Sequence, residues 1–83
     1  MVKKVVTVCR EDGLEARPIA MLVQKASQFS STVHIEIGTK KVNAKSIMGM
    51  MSLSVCSGDE VVVIAEGSDE AAAVDAIEAY LRQ

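Results

Sequence analysis

Val2 to Arg10 is rich in β-branched residues, with Val6 and Val8 on one side of a pleat and Val5, Thr7 and Cys9 on the other. This predicts a strand, which the turn formers in Glu11-Asp12-Gly13-Leu14-Glu15 end. The period then changes: Ile19, Leu22, Val23, Ala26 and Phe29 recur at spacings of three and four, one apolar face of a helix over about 16–28. Pro18 falls in its first turn, where a backbone N–H has no helical acceptor to lose. Ser30 and Ser31 end that helix, and Thr32-Val33-His34-Ile35-Glu36-Ile37 alternates polar with apolar, Val33, Ile35 and Ile37 facing the core. Gly38-Thr39-Lys40 turns the chain into a shorter hairpin partner over Lys41-Val42-Asn43-Ala44.

A short helix through Ile47–Leu53 follows, with Ser46 placed to cap its free N–H groups. Glu60 to Glu66 contains four consecutive β-branched residues, the pattern of a central strand covered at least partly on both faces. Ser68 is then placed to cap a last helix. Asp69 and Glu70 lie in its first turn, Arg82 near its end, and Val74, Ile77 and Leu81 form its buried stripe. The order βαββαβα predicts an α+β sandwich, one four-stranded sheet with three helices on one face.

Composition adds limits. At 83 residues, 49% hydrophobic and 24% charged, the chain fits one domain over 1–83. Cys9, Cys56 and the single histidine, His34, supply too few ligands for a structural metal site, and no cofactor is expected. With two lysines but no long apolar run near its start, and no stretch approaching a membrane span, the chain is expected to be cytoplasmic. The net charge is −2, unevenly placed. Residues 1–57 carry eight basic and four acidic side chains, net +4, and residues 58–83 one basic and seven acidic, net −6. Phe29 and Tyr80 are the only aromatics, so neither the field nor the stacking groups usual for direct nucleic-acid binding are present.

Two predicted helix starts could carry chemistry, because exposed backbone N–H groups there attract anions. At Gly13-Leu14-Glu15-Ala16-Arg17-Pro18 the alternatives are an ordinary capped helix and a phosphate site using Arg17, whose guanidinium can bind two oxygens at once. At Lys45-Ser46-Ile47-Met48-Gly49 they are a plain N-cap and a phosphorylation site at Ser46. A phosphate there would add about −1.5 to −2 charges beside unpaired N–H groups and near Lys45.

These two segments carry a resemblance. Gly13-Leu14-Glu15-Ala16-Arg17-Pro18 is similar to the Gly-Leu-His-Ala-Arg-Pro active-site motif of the HPr family, the small phosphocarriers of the bacterial sugar phosphotransferase system. Lys45-Ser46-Ile47-Met48-Gly49-Met50-Met51-Ser52-Leu53 is similar to that family's regulatory serine region, and the resemblance spans all 83 residues. It implies the family's open-faced sandwich of the same βαββαβα order. Glu15 stands where the carriers have the phosphorylated histidine, so histidine phosphotransfer is not expected; His34, on an outer strand face, is no substitute.

Keeping the serine motif without the histidine resembles the branch of the family that acts in catabolite repression. That resemblance implies phosphorylation of Ser46 by the bifunctional HPr kinase/phosphorylase, after which the protein acts as corepressor of a LacI-type transcription regulator and is not itself an enzyme. It also implies a docking patch from Ile47, Met48 and Met51, with Arg17 holding phosphoserine or contacting the partner. One or two of the three apolar residues are expected to face the core, with Ile47 and Met51 divided between the two roles. Glu15 is either a fixed mimic of phosphohistidine or simply favourable beside a helix dipole. Two alternatives remain at this level, a variant phosphocarrier and a modulator of metabolic enzymes. A homodimer formed by strand exchange is compatible with so small a sandwich.

Overall fold

The computed structural model describes residues 1–9, 16–52 and 58–82, with only the backbone of 16–18. Their elements follow the predicted order: β1 (Val2–Thr7), α1 (Ala16–Ser27), β2 (Thr32–Ile37), β3 (Lys40–Asn43), α2 (Ile47–Met51), β4 (Glu60–Glu66) and α3 (Glu70–Leu81). The sheet order is β1-β4-β2-β3, with antiparallel pairing between all neighbours. β1 and β2 are therefore parallel to each other with β4 between them, and β3 and β4 are parallel with β2 between them. The helical connections α1 and α2 cross over those intervening strands. α3 returns the chain across β4 and β1.

Strand alternation decides what the sheet buries. Val6, Val8, Val33, Ile35, Val61, Val63 and Ala65 face the helices and are at most 2% exposed. Ile19, Leu22, Val23 and Ala26 close this core from α1, and Val74, Ile77, Tyr80 and Leu81 from α3. Ile37 is half-buried at the core's margin. On the other face, His34 is half-buried beside Ile64 and Asn43, as expected of an outward strand position. Ile64 shares that face yet is 4% exposed, while Val62 is half-buried there, so β4 is partly covered on its outer side too, in keeping with its unbroken apolar run.

Several expected boundaries shift. β1 ends at Thr7 because Val8 takes its backbone partners from a loop: Val8 N–H donates to the Asp59 carbonyl (2.9 Å) and Gly58 N–H to the Val8 carbonyl (2.7 Å). Cys9 follows outside the strand, exposed and free, and Arg10 lies outside the described residues. α1 stops at Ser27 because the last turn tightens, Gln28 and Phe29 donating to carbonyls three residues back. Gly38, at φ +58, lets Lys40 rather than Lys41 open β3. α2 ends at Met51, and Leu53 lies outside the described residues.

The expected cap of α3 is corrected. Asp69, not Ser68, holds the N-cap position, and its carboxylate makes no cap bond to its own helix. It accepts instead from the Ser30 N–H (2.9 Å), the Ser31 N–H (2.9 Å) and the Ser31 hydroxyl. Three convergent donors outcompete a single helical N–H. These bonds, led by that from the Ser31 hydroxyl, hold the Asp69 carboxyl below its ordinary range. Gly67 makes the approach possible: a Cβ there would lie 2.6 Å from Ser31 Oγ and 2.7 Å from Ser31 Cα.

Candidate functional site: the serine-capped helix α2

α2 has only five residues, too few to be helical on its own, so its surroundings must hold it. Asn43 begins that work from the end of β3. Its side-chain oxygen accepts from the Lys45 N–H (2.8 Å) and its carbonyl from the Ser46 N–H (3.0 Å), turning the chain out of the sheet. Ser46 is then extended, at φ −108° and ψ 116°, with its hydroxyl oxygen accepting from the Gly49 N–H at 3.2 Å and its carbonyl from the Met50 N–H at 2.9 Å. At the other end the Ser52 hydroxyl donates to the Gly49 carbonyl (2.6 Å), and Lys40 Nζ donates to the Ser52 carbonyl (2.9 Å). Lys40 thus places a cation at the C-terminal end of α2, the favourable end for one.

Packing supplies the rest, and it corrects the expected division of the apolar residues. Neither Ile47 nor Met51 enters the core. Met50 does, with no exposed surface, while Ile47 is 49%, Met51 55% and Met48 86% exposed. Helical geometry explains the gradation. Each residue advances about 100° around the axis, so with Met50 pointing inward Ile47 lies about 60° away, Met51 about 100° and Met48 about 160°. Exposure rises in that order.

Ser46, Lys45, Ile47, Met48 and Met51 therefore share one short segment, with Ser46 and Lys45 half-buried and the other three presented outward. Lys45 is not a loose cation: its Nζ donates to the Phe29 carbonyl at 2.7 Å, tying α2 to the end of α1. α1 packs against α2, which brings the element bearing Arg17 to this side of the molecule. Of Arg17 itself the backbone is helical; its side chain, like Glu15 and the preceding loop, lies outside the described residues.

The hydroxyl of Ser46 caps by accepting, so its oxygen carries a proton that the cap does not use. A Cβ on Gly49 would stand 3.5 Å from Ser46 Oγ and 3.6 Å from the Val42 Cβ, so glycine leaves open space beside that oxygen. Asn43, Lys40 and Met50 were not singled out by the sequence reasoning. Asn43 alone left a signal, an Asn just before the capped helix; the other two act through packing and through contacts across the fold. Among the described residues no cluster of His, Cys, Asp and Glu could hold a metal ion, and no helix is long and apolar enough to cross a membrane.

The structure is an open-faced sandwich whose short, serine-capped helix turns Ile47, Met48 and Met51 outward. Comparison with known proteins places it further. The family model described as the PTS HPr component phosphorylation site matches residues 2–83, and the chain belongs to the HPr family, whose members are carriers and regulators rather than enzymes. It is 51% identical over all 83 residues, and 98% of the relative's length, to the HPr-like protein Crh of Bacillus subtilis. The crystal structure of the phosphocarrier protein HPr from Bacillus anthracis superposes with a TM-score of 0.93 at 46% identity, covering 96% of this chain and 95% of that one. The crystal structure of Bacillus subtilis Crh, an intertwined dimer with a swapped domain, gives 0.79 at 51% identity, covering 99% and 94%. The chain is thus an HPr-like protein with relatives in catabolite repression.

Proposed function

We propose that the protein is a single-domain cytoplasmic regulator of carbon catabolite repression. In this reading HPr kinase/phosphorylase phosphorylates Ser46, and the phosphorylated form is the corepressor of a LacI-type catabolite control regulator. The observation that carries it is the pairing of a capping hydroxyl at Ser46 with three outward apolar side chains on the next turn. The phosphoester would add about −1.5 to −2 charges beside the backbone N–H groups that open α2. Ile47, Met48 and Met51 then supply apolar area to a partner, methionine adapting well to irregular surfaces. Lys45, fixed by Phe29, and Arg17, from α1, contribute positive charge to the phosphate or to the partner.

Glu15 argues against a carrier role, since a carboxylate in place of imidazole cannot form a phosphoramidate. A homodimer belongs to the same proposal. β1 is an edge strand bonded to β4 alone, and the Bacillus subtilis relative forms a dimer by swapping a domain.

The proposal is tested by calorimetric titration of a LacI-type catabolite regulator with the unmodified and the Ser46-phosphorylated protein. It predicts binding that requires the phosphate and is weakened by Met48→Ala. Equal affinities of the two forms would refute it.

A further inference from the structure

The methionines differ sharply in environment. Met50 has no exposed surface, whereas Met51 is 55% and Met48 86% exposed, farther out than any other large hydrophobic side chain among the described residues. Thioether oxidation requires the sulfur to meet the oxidant, so exposure sets the order in which methionines react. We infer that Met48 is a reversible oxidation site at which a peroxide switches the α2 surface from apolar to polar. The inference rests on the proposed docking role of that surface. The chemistry is a two-electron transfer: the Met48 sulfur attacks the OH oxygen of a peroxide, the O–O bond breaks, the proton of that OH passes to the departing oxygen, which leaves as water or alcohol, and an S=O bond remains. Sulfur is oxidised and the peroxide reduced.

The consequence follows from position. The new sulfoxide dipole stands at the outermost edge of the face that Ile47 and Met51 share, so a partner closing over the patch must desolvate a polar group where it met an apolar one. Met48 points away from the core, and Met50, which anchors α2, is shielded. The modification therefore changes the surface and leaves the fold and the Ser46 cap in place. Methionine sulfoxide reductases restore the thioether.

The test uses the full-length protein phosphorylated at Ser46, exposed to a limited dose of hydrogen peroxide and mapped by peptide mass spectrometry. One oxygen is expected on Met48 first, with Met1 (66% exposed), Met51 and Met21 following and Met50 reacting only on unfolding; Met48 reacting no faster than Met1 or Met51 would overturn the assignment. At the dose that oxidises Met48 alone, affinity for a LacI-type catabolite regulator should fall at least about tenfold and return after methionine sulfoxide reductase treatment. Met48→Leu, whatever its starting affinity, should show the same value before and after peroxide. Unchanged affinity of the Met48-oxidised protein would overturn the switch. Failure of the unoxidised phosphoprotein to bind the regulator would instead overturn the proposed function and the switch with it, while the mapping still decides whether Met48 is the oxidation site.

Discussion

Met50→Ala tests the idea that one side chain holds the regulatory helix in place. The five residues of α2 have no helical stability of their own, and Met50 is the only one whose side chain is buried. Truncating a fully buried methionine costs the transfer of its lost atoms plus a cavity, about 2–5 kcal/mol in rigid surroundings. A five-residue helix anchored by one buried side chain is expected to detach while the four-stranded sheet and the two longer helices persist. The loss in global stability should accordingly fall toward the lower end, about 2 kcal/mol in urea unfolding. The remaining cost should appear locally: hydrogen exchange at the Gly49 and Ser52 amides, which bond to Ser46 Oγ and the Gly49 carbonyl, should lose its protection well before that of β4. Met48→Ala, two residues away, is the internal contrast and should change stability by less than about 0.5 kcal/mol. If Met50→Ala costs no more than Met48→Ala and the Gly49 amide stays protected, the anchoring argument is wrong.

Three further perturbations bear on the same account. Gly67→Ala would drive a methyl group to 2.6 Å from Ser31 Oγ at a residue with φ +152°, and should cost about 2 kcal/mol or more in thermal or chemical unfolding. Because its bonds to Ser31 and Ser30 lower the Asp69 pKa in the folded state, the ionised carboxylate stabilises the fold above the unfolded value near pH 4, and that contribution disappears as pH falls through the folded value. Urea titrations between pH 2 and 7 should therefore show Asp69→Asn to be less stable at neutral pH, with a shallower decline in acid; parallel pH curves for the two proteins would contradict this. Gly49→Ala makes only ordinary contacts and should raise helix stability by up to about 1 kcal/mol, yet its methyl, 3.5 Å from Ser46 Oγ, should slow phosphorylation by HPr kinase in a rate assay.

What was legible in the sequence follows the strength of local pattern. β2 and β4 were readable because alternation and a β-branched run are properties of the strands themselves, and the stripe of Val74, Ile77 and Leu81 because α3 spans three turns. α2 was readable as an element but not in its orientation. Five residues carry no period, so nothing local distinguished Met50 from Ile47 or Met51 as the inward residue. The role of Asp69 was illegible for another reason: its partners Ser30 and Ser31 are nearly forty residues away and meet it only through the pairing of β2 with β4. The same holds for Lys45 on Phe29 and Lys40 on Ser52, where the fold decides which carbonyl each lysine reaches.

The most direct test of the account is the intact mass of the protein after incubation with HPr kinase and ATP, beside Ser46→Ala treated identically. A single phosphate on the wild type and none on the variant is the predicted result. No phosphate on the wild type, using folded protein and a kinase shown to phosphorylate an ordinary HPr, would reduce Ser46 to a helix cap and contradict the proposed regulation.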